Sequence, residues 1–331
     1  MYKEAADNIY LVEIPLPNSP LKVLNSYFIR SDTGGRNLIV DSGFNNDICK
    51  AAFYEAMEVL GFDKNNTDFY ATHLHGDHLA LMQAMEDVNI YFGRFDAEYL
   101  ERREQQNKKT GYFGGRNIYL AVELFGMPKE YVEVLFKAEF MKNRRHDRNN
   151  YIRVDEGDKF SVGSYDFEVV LFAGHTPGQT ALYDKNKKIL ICGDHILGNI
   201  SPNITFWETD FDSLGNYLDS LEKAKKMDIK QILCGHRSND FDVYARIDEI
   251  IKHHQMRLDE VVEILNREQR NMTAYEIAAK MTWSVKADMW SKYTKEQQWF
   301  ASGEALAHLE YLHKRERIKK YIIDEMLYYS I

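Results

Sequence analysis

The chain has 331 residues, 44% hydrophobic and 13% aromatic, enough apolar surface for one large domain and a smaller one. Its 42 basic and 51 acidic side chains leave a net charge of −9, which weighs against a surface that coats nucleic acid without regard to sequence. Three cysteines (Cys49, Cys192, Cys234), no run of about 18 apolar residues and no apolar segment in the N-terminal MYKEAADNIY argue against a disulfide framework, a membrane-spanning helix and a signal peptide. A cytoplasmic setting with no membrane partner is therefore expected.

Residues 8–16, 23–29 and 37–41 are rich in β-branched and aromatic residues and predict strands. Residues 47–61 have helical periodicity and end at Gly61, a C-cap candidate. A short buried strand at 69–72 delivers the segment HLHGDH (73–78), and a helix pattern starts at Asp77. Residues 94–150 break this rhythm: the polar helix FDAEYLERREQQNKK, a glycine-rich TGYFGGRN (110–117), then two more helices, the second opened by Pro128. Strand patterns resume at 151–155, 165–172, 180–184, 188–193 and 231–235, with a helix at 213–227. Beyond about residue 242 a long amphipathic helix reaches 268. A short helix at 273–281 carries a candidate Thr273–Glu276 capping box, and a helix over 303–323 leads into a short strand pattern. Three helices followed by a strand pair is the order of a winged helix. The expected division is a domain over 1–245, with a helical insertion at about 94–150, and a helical, winged-helix-like domain over 246–331.

The histidines set the chemistry. In an extended backbone His73 and His75 point the same way and can bind one metal, while Asp77 and His78, where the chain turns into a helix, can face a second. Three later strand ends each deliver one ligand-type residue: His175 in FAGHTPGQ, Asp194 in ILICGDH and His236 in QILCGH. A buried strand of Ile, Leu and Cys that ends in a carboxylate needs a reason, because an unpaired buried charge is costly. Five histidines and two aspartates suit zinc and similar divalent ions.

This pattern resembles the metallo-β-lactamase superfamily. Its five motifs occur in order: Asp41 in VDSG, HLHGDH, His175 in GHTPGQ, Asp194 in CGDH and His236 in CGH. The resemblance covers roughly residues 8–240 and implies an αββα sandwich with metals at one edge. It implies that His73, His75 and His175 hold one metal, that Asp77, His78 and His236 hold another, that Asp194 bridges, and that Asp41 supports the cluster from behind. The segments GDHILGNISPNITFW and HHQMRLDEVVEIL resemble the branch with a C-terminal winged-helix-like domain, the lactamase-beta-2-like hydrolases, which includes a metal-dependent endoribonuclease. Residues 79–80 are Leu-Ala where many relatives have two small residues, which bears on helix packing.

The implied cofactors are two divalent ions, zinc first, with iron or manganese as alternatives, and the implied nucleophile is a hydroxide shared by them. Asp77 would orient it, and His195 is a candidate proton donor to the leaving group, weighed against a simply packed histidine. His253 and His254 read as structural or interdomain residues, and Cys192 and Cys234 as small core residues. Phe206 and Trp207 would line the substrate entrance or pack. The basic runs 141–150 and 313–320 read as solvated faces. The insertion is expected to cover the metal edge as a lid, with Tyr112, Phe113, Tyr119 and Phe125 toward the substrate and hinges at Gly111, Gly114 and Gly115. The competing reading is a homo-oligomer interface. Three functions follow: a hydrolase of a small ester, thioester or lactone, which is favoured; a metal-dependent ribonuclease acting on RNA; or a winged-helix module binding nucleic acid or a protein partner.

Overall fold

The computed structural model describes residues 2–110, 124–128, 130–131, 151–284 and 289–331. Seven strands form the first sheet in chain order: β1 (Tyr2–Ala6), β2 (Ile9–Pro15), β3 (Val23–Ile29), β4 (Asn37–Val40), β5 (Thr67–Ala71), β6 (Ile90–Gly93) and β7 (Ile152–Val154). The second sheet holds β8 (Lys159–Val162), β9 (Tyr165–Leu171), β10 (Thr180–Asp184), β11 (Ile189–Gly193) and β12 (Gln231–Cys234), in the order β12-β11-β10-β9-β8. Alternation along each strand decides what the faces meet. Tyr27, Val40 and Tyr70 point into a common core with Phe167, Leu182 and Leu233 of the other sheet. Phe28 and Phe69, one residue out of step, instead meet Phe53 of α1 (Asp47–Val59), at ring-centroid distances of 5.3 and 6.5 Å. Each such buried aromatic contributes about 1.5–3 kcal/mol through burial.

Among the described residues, further helices are α2 (Gly76–Gln83), α3 (Arg94–Thr110), α4 (Ser213–Lys225), α5 (Val243–Glu268), α6 (Ala274–Ala278) and α7 (Lys295–Lys314), followed by the hairpin β13 (Lys319–Ile323) and β14 (Met326–Ser330). The C-terminal half of α4 covers the second sheet: Ser220 Oγ donates to Ala173 O, and Leu221 and Ala224 are buried. The expected αββα sandwich is thus present. α1 stops as predicted, with Leu60 as C-cap and Gly61 at φ +68°, the left-handed conformation that ends helices without a Cβ penalty.

Strand direction gathers chain ends at one edge. β4, β5 and β6 are parallel; β9 and β11 both run antiparallel to β10, and β12 runs parallel to β11. The chain therefore leaves β9, β11 and β12 on the same side. Asn25 N donates to Gly235 O and Thr180 N to Thr72 O, tying the two sheets together there. Parallel strands with both faces covered commonly place chemistry at such carboxyl ends.

Two compact units divide the chain. One takes in residues 1–102, 143–202 and 220–247; the other takes in 103–142, 203–219 and 248–331. The second unit's C-terminal segment starts at residue 248, and the unit also takes in 103–142 and 203–219, which the expected division places in 1–245. Of the proposed lid, Tyr112, Phe113, Tyr119, Gly111, Gly114 and Gly115 lie outside the described residues. Phe125 is fully buried beside Gly303 of α7 within the second unit. In its C-terminal segment, among the described residues, α5, α6 and α7 precede the hairpin, and the Thr273–Glu276 capping box is formed on both sides.

Candidate metal centre

Each ligand-type residue leaves a strand end or opens a helix. β5 ends at Ala71; His73 follows in the connecting loop, and His75 is the N-cap residue of α2. Asp77 and His78 lie in the first turn of α2, where the helix dipole favours an anion. The preceding VDSG segment braces that helix. Ser42 N donates to His78 O, Leu81 N to Gly43 O and Met82 N to Ser42 Oγ. Asp41 itself has φ +60°, uncommon for a residue with a Cβ, and its own N–H to Tyr70 O and its carbonyl to Ser26 Oγ hold it there.

Seven side chains converge. Among the described residues, three overlapping groups place their ligand atoms within 4.8 Å of one another: His73, His75 and His175; His73, His78 and Asp194; and Asp77, His78 and His236. His75 Nδ1 lies 3.0 Å from His73 Nε2 and 3.1 Å from His175 Nε2. His78 Nε2 and His236 Nε2 are 3.3 Å apart, and Asp77 Oδ2 is 3.4 Å from His236 Nε2. Asp194 reaches both groups, with Oδ2 3.4 Å from His236 Nε2 and 3.9 Å from His175 Nε2.

These residues fit a divalent metal site on three grounds. Ligands about 2.0–2.1 Å from a shared tetrahedral ion lie about 3.3 Å apart, close to the nitrogen separations here. The outer nitrogens are committed elsewhere: His78 Nδ1 to Asp41 Oδ2 at 2.7 Å and His236 Nδ1 to Val23 O at 2.7 Å, which turns both Nε2 lone pairs inward. Asp194 Oδ1 is buried, makes no hydrogen bond among the described residues and lies 3.5 Å from His78 Nε2, an under-satisfied oxygen of the kind that a cation would complete. The packing is also tight. A Cβ on Gly235 would stand 2.4 Å from Asp194 Oδ1 and 2.8 Å from His78 Cε1, so the bare glycine lets the two ligands sit close.

Within the cluster, the charges compensate one another. Burial alone would lower the pKa of His78, but Asp41, Asp194 and Asp77 outweigh it and hold the ring well above its ordinary value. Burial likewise opposes the charge on His236, yet Asp194 and Asp77 raise its pKa to about 10. Burial works against ionised Asp77 and Asp194 too, and these two imidazoles overcome it, holding both carboxyls below the usual range. His73 goes the other way: burial, then the neighbouring rings of His78, His75 and His175, keep it neutral.

His195, next to Asp194, is fully buried. Its ring stacks on Phe172 at 4.1 Å and 11°, and burial brings its pKa down to about 3. Burial raises the Cys192 thiol and pushes Cys234 to about 12, so both remain protonated small core residues. His254 is buried in the second unit, where its Nδ1 lies 3.2 Å from His308 Nε2. Phe206 N donates to Gly303 O in the same unit. In the basic run 313–320, Arg315 pairs with Asp212 at 2.9 Å and Lys320 with Glu310 at 2.7 Å; the run 141–150 lies outside the described residues.

One residue of the site escaped the sequence reading. Asp96, in the first turn of α3, is fully buried and accepts three hydrogen bonds from the loops that carry His73, His75 and His175. Burial pushes its carboxyl up to about 7 against those three donors, which favour the anion. The only signal in the sequence is a carboxylate between Phe95 and Ala97 just after a buried strand.

A sequence model of the family described as "Metallo-beta-lactamase superfamily" matches residues 97–236, which include His175, Asp194 and His236. A curated relative, "Beta-lactamase-like protein 2 homolog" of Caenorhabditis elegans, is 23% identical over 272 residues, 80% of this chain and 74% of that protein. The crystal structure of a metallo-beta-lactamase family protein from Thermus thermophilus superimposes with a TM-score of 0.80 at 23% identity, covering 99% of both chains. A beta-lactamase domain protein from Burkholderia ambifaria gives 0.81 at 23% identity, over 99% of this chain and 94% of that one. At these identities the two structures speak for the fold, over nearly the whole length. The chain is thus similar to the metallo-β-lactamase superfamily over residues 97–236 and shares the fold of metallo-beta-lactamase family proteins over nearly its whole length.

Proposed function

We propose that this chain hydrolyses a small ester, thioester or lactone at a dinuclear metal centre, zinc being the first candidate. The observation that carries the reading is the overlap of the ligand groups: His73, His78 and Asp194 form a group that shares His73 with one neighbour and His78 with the other, so seven side chains crowd into adjoining groups. His73, His75 and His175 would hold one ion, Asp77, His78 and His236 the other, with Asp194 between them. When bound, such ions supply Lewis acidity that acidifies water and polarises a carbonyl or phosphoryl oxygen. The chain's own residues do the rest. Asp41 and Val23 O fix the rings of His78 and His236, and Asp77, kept ionised, accepts a hydrogen bond from the attacking water and orients it. Ring stacking and full burial favour a packing role for His195 over proton donation.

Net charge −9 and the pairing of Arg315 and Lys320 with acidic neighbours weigh against a phosphate-binding track. We read the C-terminal helices and hairpin as winged-helix-like by element order, and fold alone assigns them no partner. Metal-loaded protein should be screened against esters, thioesters, lactones, a phosphodiester and RNA, with salt raised from about 50 to 200 mM. The reading expects turnover of an ester-type substrate that hardly responds to salt and is lost in Asp194→Asn. RNA cleavage that falls steeply with salt and also disappears in Asp194→Asn would favour the ribonuclease.

A further inference from the structure

We infer that Asp96 is a positioning residue of the metal centre, whose one carboxylate fixes the two separate loops that supply His73, His75 and His175. This rests on reading those histidines as ligands. Asp96 Oδ2 accepts from Leu74 N at 2.9 Å and from Thr176 Oγ1 at 2.7 Å; Oδ1 accepts from Gly178 N at 2.6 Å. Leu74 is the residue between His73 and His75, and Thr176 directly follows His175. The carboxylate is therefore a cross-link between chain segments about a hundred residues apart, one residue from each of the three ligands.

The backbone around Asp96 is built for this contact. A Cβ on Gly178 would lie 2.2 Å from Asp96 N and 2.9 Å from Phe95 C, so the first turn of α3 is pressed onto the turn that carries His175. A Cβ on Gly93 would lie 2.2 Å from Gly178 O, which brings the end of β6 equally close. Three donors on a fully buried carboxylate make a rigid junction, because loss of the acceptor leaves two peptide N–H groups and a hydroxyl without it. Residues that orient metal ligands commonly govern affinity by about 10–100-fold. His78 and His236 have their own supports in Asp41 and Val23 O, neither of which involves Asp96. The effect should therefore be confined to one metal position.

The test measures Zn2+ affinity by chelator competition at each position separately. A His236→Ala background leaves the His73/His75/His175 position intact, and a His175→Ala background leaves the Asp77/His78/His236 position. Asp96→Asn keeps one carbonyl acceptor but turns a donor toward the remaining N–H. It should weaken binding about 10–100-fold in the first background and less than about twofold in the second. Thr176→Val, which removes only the hydroxyl, should shift the first position in the same direction by less, and serves if Asp96→Asn does not fold. Equal weakening in both backgrounds, or none in the first, overturns the proposal. The underlying reading has its own control: if His175→Ala alone leaves the bound-metal ratio unchanged, the ligand assignment is wrong, whatever Asp96→Asn does.

Discussion

Asp41 Oδ2 lies 2.7 Å from His78 Nδ1, and the same carboxylate accepts Thr72 N at 2.9 Å and Thr72 Oγ1 at 2.9 Å. One buried carboxylate thus orients the ring of a candidate ligand histidine and fixes the exit of the strand that supplies two more candidates. Asp41→Asn keeps the shape and removes the charge. We expect Zn2+ affinity at the position of His78 to fall about 10–100-fold while the fold persists. Chelator competition alongside far-UV circular dichroism checks this, and unchanged affinity would remove Asp41 from the account.

Metal binding should release protons. In the metal-free chain His78 and His236 are held charged at neutral pH by Asp41, Asp194 and Asp77, and an ion must displace those protons. Because both folded pKa values are raised, the proton competition is full near pH 7 and fades as pH climbs toward about 10, the value for His236. Apparent affinity should then rise with pH, by up to about a hundredfold per pH unit where both protons are displaced. Calorimetric titration in buffers of different ionisation enthalpy counts the protons. A count of zero at pH 7 contradicts the charge assignment.

The second unit should be acid-sensitive. Burial, then His308, His253 and Arg257, hold His254 well below its ordinary pKa, and burial brings His308 to about 3. Above about pH 6.5 neither the folded nor the unfolded chain protonates them, and the stability of the neutral pair is fully present. As pH falls below that value the unfolded chain takes up protons that the folded chain refuses. Stability then drops by about 1.4 kcal/mol per pH unit for each histidine until the folded values are reached. The double variant His254→Phe/His308→Leu should show a shallower loss than the parent between pH 6.5 and 5 in urea titrations. Equal slopes would mean that the pair is not buried neutral.

How much of this was legible in the chain depends on what each residue signals. His73, His75, His175, Asp194 and His236 were legible because their side-chain types are out of place at the ends of apolar strands. Asp96 was not, since its partners are two peptide N–H groups and a hydroxyl, which leave no pattern in the sequence. β1 and β8 were missed because YKEAA has no β-branched residue and carries Lys and Glu side by side, and KFSV has four residues; both are made strands by the neighbours they pair with. α7 begins at Lys295, eight residues earlier than expected. Its Thr294–Gln297 capping box was readable, but burial on nearly all sides erases the amphipathic period of its middle.

His195→Phe separates packing from proton donation. The ring already stacks flat on Phe172, so phenylalanine should preserve the fold and leave the turnover of an unactivated alkyl ester, whose leaving group needs a proton, within about threefold, well short of the 10²–10⁴-fold that a proton donor supplies. A loss of a hundredfold or more with metal content intact would restore the acid role.

The central claim is that the seven converging side chains hold two metal ions that the hydrolysis requires. Elemental analysis of the purified protein and its Asp194→Asn variant, paired with hydrolysis of the best substrate, tests it most directly. We expect about two divalent ions per chain in the parent, and a joint fall of metal content and activity in the variant. A ratio well below one that zinc, manganese or iron does not restore, or activity that survives Asp194→Asn, would contradict it.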